Sequence, residues 1–180
     1  MKRRMPWIMG MLTALLLWTG PAGAATAPDF NLRDTGGKRV NLKALLKKGP
    51  VLLDFWATWC KPCLKAMPKL EEIHNTYKDR GLTVLGVNED GPRSQTKVKP
   101  FLRARKISFP SVFDPDGGVM RRMQVGLLPV TFLIAQDGEI VLRQAGYDPD
   151  HEKPLIDAIE SLLPGADAGT EPTGDARAEK

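Results

Sequence analysis

The chain has 180 residues, of which 42% are hydrophobic and 26% are charged, enough for one domain with a substantial core. Its formal net charge is +5, but three cations form the cluster Lys2, Arg3 and Arg4 at the very start. Without that cluster 23 Lys and Arg face 21 Asp and Glu, a balance of only +2. The overall charge is therefore no argument for nucleic-acid binding, and no nucleic-acid partner is predicted.

The first 24 residues have the pattern of a secretory signal peptide. A basic start is followed by the apolar stretch from Trp7 to Trp18 and by the small-x-small site Ala22-Gly23-Ala24. The pattern predicts export from the cytoplasm with cleavage after Ala24. The alternative is an uncleaved membrane anchor through residues 5–24, because the whole uncharged stretch can cross a bilayer if it is tilted.

The remaining chain predicts one α/β domain over residues 29–163 and a disordered tail over residues 164–180, which has little to bury. The order of elements predicts an α/β layer with a mixed sheet. Pro100 either kinks the helix predicted within residues 95–105 or lies in its first turn. The predicted elements are a hairpin over 29–42, a helix over 42–48, a buried strand over 51–57, a helix over 61–77, a buried strand over 82–87, a helix within 95–105, paired strands over 130–135 and 139–145, and a helix over 152–163.

One stretch stays strongly basic after the signal is set aside. The pattern has two interpretations, a solvated helix face, which is the simpler one, or a docking surface for an acidic partner. The basic residues are Arg93, Lys97, Lys99, Arg103, Arg105 and Lys106, with no acid among them.

The two cysteines lie in Trp59-Cys60-Lys61-Pro62-Cys63, between a predicted buried strand and the start of the predicted long helix. A thiol at a helix N-terminus faces free backbone N–H groups and the positive end of the helix dipole, which favour its thiolate. Lys61 adds a cation nearby, and Pro62 suits a first helical turn. We therefore predict that Cys60 is the exposed nucleophile and that Cys63 resolves the mixed disulfide.

The cysteine pair has three other interpretations: a structural disulfide, a zinc site and two inert core residues. A disulfide that closes so small a loop removes little entropy from the unfolded chain. Zinc needs further ligands, and the only histidines are His74 and His151, so no metal is predicted. The position at a helix start argues against inert packing.

Asp54 interrupts an otherwise apolar run inside the predicted central strand. Aspartate is a poor strand former, and a buried carboxylate is costly, so something must offset the cost. Lying below the thiols, Asp54 is predicted to take up and release the proton of Cys63 during exchange. The alternative is a structural Asp bound to backbone or water.

The segment from Leu53 to Cys63, LDFWATWCKPC, resembles the active-site segment of thioredoxins, and more closely that of exported TlpA/ResA-like thiol–disulfide oxidoreductases. The resemblance covers roughly residues 29–163. It implies a thioredoxin-like three-layer fold with a mixed central sheet, flanking helices and an added N-terminal β-hairpin. Pro68 stands where the family kinks its active-site helix, and residues 86–90 also fit this group.

Residues 127–131, Leu-Leu-Pro-Val-Thr, resemble the cis-proline segment of the same family. The resemblance implies a cis Leu128–Pro129 bond beside the thiols, which X–Pro chemistry permits at low cost. The backbone of Leu128 can then pair with an extended substrate strand. An ordinary edge-strand proline is the alternative for Pro129.

The chain departs from the family at one position. Many members carry Glu three residues after the second cysteine and lack the buried Asp, whereas this chain has Ala66 there and keeps Asp54. The proton-handling acid is therefore thioredoxin-like. Glu89 and Asp90, near the end of a predicted strand, are candidates to stand in for the missing Glu.

The resemblance implies a reductase of disulfides in exported proteins, such as apocytochromes c awaiting haem or proteins with copper-site cysteines. It also implies a membrane thiol carrier as electron donor and a location in the periplasm or at the outer face of the cytoplasmic membrane. No cofactor is implied beyond the Cys60–Cys63 disulfide.

Trp56 is predicted to pack in the core, as are Met120 and Met123. The predicted substrate-contacting residues are Trp59, which lies on an exposed rim, Lys61, Pro62, Leu128 and Pro129.

Other functions stay open at this point. A disulfide oxidase or isomerase uses the same thiols in the opposite direction, but that oxidase group usually has a large helical insertion for which this chain has no room. A copper-binding module of this fold uses two cysteines and a distant His, with Cys-x-x-x-Cys spacing instead of the Cys-x-x-Cys seen here. A peroxidase is disfavoured because the segment before Cys60 lacks the Pro- and Thr-containing loop that cradles a peroxide.

Overall fold

The computed structural model describes residues 25–163. The predicted signal peptide over residues 1–24 and the predicted tail over residues 164–180 lie outside the described residues. Within the described part, no helix has both the length and the apolar character needed to cross a bilayer.

Seven strands form one mixed sheet in the order β2-β1-β5-β4-β3-β6-β7. The parallel pairs are β3–β4 and β4–β5, and the other neighbours are antiparallel. The mixed α/β sheet is therefore confirmed, whereas the short strand β5 was not predicted. The strands are β1 (Asn31–Asp34), β2 (Arg39–Asn41), β3 (Val51–Trp56), β4 (Thr83–Asn88), β5 (Ser111–Phe113), β6 (Val130–Ile134) and β7 (Ile140–Ala145).

Five α-helices connect these strands. Pro68 lies inside the long helix α2, at the position where the family resemblance places a helix proline. Pro100 also lies inside its helix, α3, so its placement in a first turn was the wrong alternative. The helices are α1 (Leu42–Leu46), α2 (Lys61–Tyr77), α3 (Gln95–Ala104), α4 (Gly118–Arg122) and α5 (Glu152–Leu162).

The central strand β3 is buried along its whole length, and its alternate residues face two helical layers. Leu53 and Phe55 belong to a core cluster with residues of α1 and α4. On the opposite face, Leu52 packs in a cluster with α2 and α5, and Trp56 packs with α2 and α3. The sheet and its two helical layers give the three-layer arrangement. The end of β3 leads within four residues to the start of α2.

The N-terminal hairpin is part of the main sheet. Strand β1 pairs with β2 as predicted, and it also pairs antiparallel with β5, where Arg33 lies opposite Phe113. A hairpin alone is marginally stable in water, so this second pairing anchors β1 and β2 to the domain.

Candidate active site

The two cysteines form a disulfide at the junction of β3 and α2, with a Cα–Cα distance of 5.3 Å. Cys60 is the N-cap of α2, and its Sγ accepts the backbone N–H of Cys63 at 3.2 Å. Pro62 lies in the first turn, where the missing N–H removes no helical hydrogen bond. The pair therefore occupies the helix start that the sequence predicts, and a backbone donor already points at the Cys60 sulfur.

The expectation that Cys60 is exposed is wrong for this disulfide form. Cys60 is 5% exposed and Cys63 is fully buried. Both belong to an apolar cluster with Trp56 and Met67, and Leu128 packs against that cluster, which explains the low exposure. Cys60 is still the more accessible of the two cysteines.

Two exposed apolar side chains lie beside this nearly closed disulfide and are here called the apolar rim. Trp59 is 67% exposed, in agreement with its predicted position, and Leu127 is 84% exposed. The Leu128–Pro129 bond is cis, as the resemblance implies. An open groove of about 410 Å³ lies here, and its lining includes the exposed Trp59 and Leu127 together with Leu128 and Glu89. Exposed apolar side chains in a groove beside a reactive disulfide are suited to contact a polypeptide.

Lys61 and Pro62, the two residues between the cysteines, are both exposed at the start of α2. Pro129 is buried, and Leu128 is partly buried. The predicted substrate-contacting residues thus divide into a solvent-facing set and a less accessible set, of which Leu128 packs against the disulfide cluster.

Asp54 is fully enclosed in the central strand, with an exposure of 1%. It lies opposite Thr131 of β6, and the Thr131 hydroxyl donates a hydrogen bond to its Oδ1 at 2.8 Å. Burial raises the pKa of Asp54 to about 7, and the hydrogen bond from Thr131 lowers it by a smaller amount. Its side chain is on the same face of the sheet as Trp56, the face that α2 covers. A carboxyl that exchanges its proton near neutral pH therefore lies beneath the disulfide-bearing helix.

The contact with Thr131 gives a direct test of how the Asp54 pKa is set. In Thr131→Val the donor to Oδ1 is lost, so the pKa of Asp54 is expected to rise above its wild-type value of about 7. Thr131→Ser keeps a hydroxyl donor and serves as the matched control, with a pKa near wild type. Titration of the Asp54 carboxyl carbon by NMR measures all three proteins. An unchanged or lower pKa in Thr131→Val would remove Thr131 from this role.

Asp90, proposed from the sequence as a substitute acid, holds the active-site loop instead. Its carboxylate accepts the backbone N–H of Thr58 at 2.9 Å and the Thr58 hydroxyl at 2.6 Å. Asn88 donates a third hydrogen bond to it at 2.7 Å. These contacts join the loop before Trp59 to the end of β4. The sequence places Asp90 near the end of a strand but does not specify this contact.

Glu89, the other substitute acid, lies in the groove beside Trp59 and Leu128. Burial raises its pKa to about 8, and the negative charges of Asp114 and Asp116 act in the same direction, whereas Arg121 opposes them. Among the described residues, its Oε1 has no hydrogen-bond partner. Glu89 therefore holds its proton at neutral pH and presents an acid to the groove, although the sequence does not distinguish it from Asp90.

Trp56 packs in the core between β4, β5 and α3, as predicted. Its indole Nε1 donates to the Ser111 hydroxyl at 3.1 Å, and its ring stacks on Phe101 with centroids 6.0 Å apart. A side-chain carbon on Gly86 would come within 2.7 Å of that nitrogen, so glycine makes room for the indole. Met123 is buried and Met120 partly buried, both against the α4 core.

Of the two histidines, His74 lies far along α2 from the disulfide and packs edge-on against Phe109, with ring centroids 6.4 Å apart. Fourteen residues of helix separate it from Cys60, about 20 Å of rise. The side chain of His151 lies outside the described residues.

Comparison with known proteins agrees with this geometry. A sequence profile described as the AhpC/TSA family matches residues 24–143. The thiol-disulfide oxidoreductase ResA of Bacillus subtilis (strain 168) is 36% identical over 143 residues, which span 79% of this chain and 77% of that protein. ResA of Geobacillus kaustophilus is 41% identical over 122 residues, 68% of each chain.

A solved structure shares the fold as well. The solution structure of a thiol:disulfide interchange protein from Bacteroides sp. superposes with a TM-score of 0.67 at 27% identity, covering 83% of this chain and 95% of that one. The relatives are named for the chemistry that a disulfide at a helix start performs. The chain therefore belongs to the AhpC/TSA family of thioredoxin-like proteins and is a thiol–disulfide oxidoreductase of the ResA type.

Proposed function

We propose that this oxidoreductase acts outside the cytoplasm as a reductase of disulfides in other proteins, with apocytochromes c or copper-site cysteines as its substrates. The observation that carries the proposal is the Cys60–Cys63 disulfide at the N-terminus of α2, beside the apolar rim of exposed Trp59 and Leu127. The rim suits a polypeptide better than a small disulfide, because it offers contact area well beyond two sulfur atoms.

In the proposed mechanism the reduced enzyme begins with the Cys60 thiolate, stabilised by the N–H of Cys63 and the helix dipole. The thiolate attacks one sulfur of the partner disulfide, which forms a mixed disulfide and releases the first partner thiolate. Cys63 then attacks the Cys60 sulfur, and the second partner thiolate leaves. Two electrons pass to the partner, and the Cys60–Cys63 disulfide remains on the enzyme.

Asp54 supplies proton transfer for the second step. Cys63 must lose its proton before it can attack, and a carboxylate with a pKa of about 7 is a suitable base at neutral pH. The two protons lost by the enzyme thiols end on the two partner thiols. The buried position of Cys63 keeps bulk water away, so an internal base is needed there.

The partner polypeptide lies along the exposed rim in this proposal. Trp59, Lys61 and Pro62 contact it through exposed side chains, and Leu128 contacts it through its backbone. Pro129 is buried and takes part through the cis bond that orients Leu128. Pro129 has no N–H to present to the thiols. The backbone groups of Leu128 pair with an extended strand of the partner. A membrane thiol carrier returns the enzyme disulfide to the dithiol, and no other cofactor takes part.

The pattern of residues 1–24 supports the proposal of export. The proposed location is the periplasm or, with residues 5–24 as an anchor, the outer face of the cytoplasmic membrane. A disulfide reductase in such an oxidising compartment needs its own electron supply, which is why a membrane carrier is part of the proposal.

The opposite direction, oxidation or isomerisation of partners, is favoured by one observation. The Cys63 N–H that points at the Cys60 sulfur stabilises the thiolate, and a stabilised thiolate makes the disulfide more oxidising. Whether the protein reduces or oxidises its partners therefore depends on how strongly the Cys60 thiolate is stabilised.

The reduction potential of the Cys60–Cys63 couple decides the direction. Equilibration of the protein against glutathione or dithiothreitol buffers measures it. We expect a value near or below about −230 mV, in the range of thioredoxin-like reductants. A value near about −120 mV would mark an oxidant and would overturn the proposed direction while the catalytic residues stay the same.

A further inference from the structure

A second concave surface lies between the N-terminal hairpin and α3. This surface, here called the hairpin groove, encloses about 770 Å³. Arg33 and Arg39 form one wall, Lys99 and Pro100 form the other, and Phe113 of β5 lies between them. The groove is as large as typical ligand sites and combines an apolar interior with a basic border.

The basic border carries more positive charge than the protein itself compensates. Arg33 of β1 lies directly opposite Arg39 of β2, and like charges in that position destabilise a strand pair. Both are exposed, as is Lys99 on the facing wall. None of the three takes part in an ion pair within residues 25–163.

One acid in the groove offsets part of this charge. Asp34 lines the groove, and its Oδ1 accepts the backbone N–H groups of Gly36 and Lys38 in the hairpin turn. These donors are neutral, so three cations and one carboxylate leave the lining with a formal charge of +2. The Arg33 guanidinium donates to the carbonyl oxygen of Gly37, which fixes its position without cancelling its charge.

The groove and the disulfide are at the same edge of the sheet. Trp56, which ends β3, pairs with Asn88 of β4, Asn88 pairs with Phe113 of β5, and Phe113 pairs with Arg33. Three strand spacings separate β3 from β1, a distance of about 14 Å. Cys60 follows Trp56 by four residues at this edge, so a protein that reacts there spans a distance of this order, which an extended segment of about five residues covers.

We propose that the hairpin groove docks an acidic segment, interleaved with apolar side chains, of the protein with which the disulfide exchanges. Carboxylates of this segment pair with Arg33, Arg39 and Lys99 and remove the repulsion across the hairpin, while its apolar side chains contact Phe113 and Pro100. A flat anionic membrane matches the charge but cannot fill a concave surface. The identity of the occupant as an exchange partner rests on the proposed function, whereas the binding itself does not.

This proposal divides the basic run of the sequence into three parts. Lys99 lines the groove and acts as a docking residue. Arg105 lies over the ring of Phe101, 3.9 Å from its centroid, and so packs on the helix surface. The other members are exposed and add positive potential around the groove.

Binding is tested first on the oxidised protein. The probe is a fluorescein-labelled peptide in which four acidic residues alternate with Leu, compared by anisotropy with a peptide carrying Lys in their place. We expect only the acidic peptide to bind. The triple variant Arg33→Gln, Arg39→Gln, Lys99→Gln should weaken its binding by roughly 30-fold, the sum of three exposed ion pairs.

A matched control keeps the same change of charge on another surface. The variant Lys43→Gln, Lys47→Gln, Lys48→Gln removes three exposed cations on and after α1 and should change the affinity less than about threefold. Equal losses in the two triple variants would show attraction to net charge alone and would overturn the groove. Binding to vesicles of anionic lipid without binding to the acidic peptide would overturn the choice of a protein segment.

A second experiment, which measures rates of disulfide reduction, separates this inference from the proposed function. Reduced wild-type protein is given disulfide peptides whose acidic segment lies one, five or nine residues from the reacting cysteine, and dithionitrobenzoate as a small disulfide. We expect the five-residue spacing to react fastest. Equal rates at all spacings with normal reduction of the small disulfide would overturn the exchange-partner role alone. Failure to reduce any disulfide would overturn the proposed function, and the anisotropy result would then decide the groove.

Discussion

Replacement of Cys60 by serine is expected to abolish disulfide exchange, whereas replacement of Cys63 by serine is expected to trap the partner. A serine hydroxyl is not ionised near neutral pH, so Cys60→Ser loses the nucleophile and its rate falls by at least about 1,000-fold. Cys63→Ser keeps Cys60 at the helix N-cap but lacks the buried thiol that releases the partner. Non-reducing electrophoresis of the two variants after exposure to a disulfide-bearing protein measures both effects.

The two variants control for each other. Each removes the same disulfide and one sulfur atom, and a loop closed by residues three apart is worth only about 2 kcal/mol of unfolded-state entropy. Circular dichroism should therefore show both variants folded, with similar losses of stability. Trapping by Cys60→Ser in place of Cys63→Ser would reverse the assigned roles, and wild-type activity in both variants would remove the pair from the mechanism.

Asp54→Asn is expected to make the protein more stable at neutral pH and slower in exchange. The ordinary pKa of Asp is 3.8, and burial raises the pKa of Asp54 to about 7 in the folded protein. Between these values the folded state binds a proton that the unfolded state has released. The free energy of unfolding therefore falls as the pH rises from about 4 to about 7, by about 4 kcal/mol in total, and this loss is constant above that range.

Asparagine at position 54 is neutral at every pH and avoids this loss. Its advantage over wild type should be near zero at pH 4 and should grow to several kcal/mol at pH 7 and above. Denaturant unfolding at a series of pH values measures the difference. Asp79→Asn, an exposed substitution of the same kind after α2, should leave the pH dependence unchanged. If the free energy of unfolding varied with pH in the same way for Asp54→Asn and wild type, the carboxyl would not be desolvated in the folded protein.

The same variant should lower the rate of exchange at pH 7 on the order of 100-fold, the typical contribution of a general base. The rate should recover partly at higher pH, where Cys63 loses its proton without help. Stopped-flow oxidation of the reduced enzyme by a disulfide peptide measures this profile. A stabilised variant with an unchanged rate would return Asp54 to a structural role.

Local signals in the sequence were sufficient for the elements that carry the cysteines. The long helix was predicted with the bounds Lys61–Tyr77 that the structure shows, because Pro62 marks its first turn and Gly81 lies near its end. The apolar run of β3 predicted a fully buried strand, and Asp54 was conspicuous inside it. Helix capping and hydrophobic periodicity act over a few residues, so a single sequence records them directly.

Contacts between distant parts of the chain were decided only by the tertiary structure. Thr131 meets Asp54 across 77 residues, and Asp90 meets Thr58 across 32, and no local pattern specifies either pairing. Strand β5 has three residues, too few to show periodicity, and it forms because β4 and β1 offer it partners on both sides. The near closure of Cys60 and the basic hairpin groove arise in the same way, since burial and charge depend on which surfaces the fold brings together.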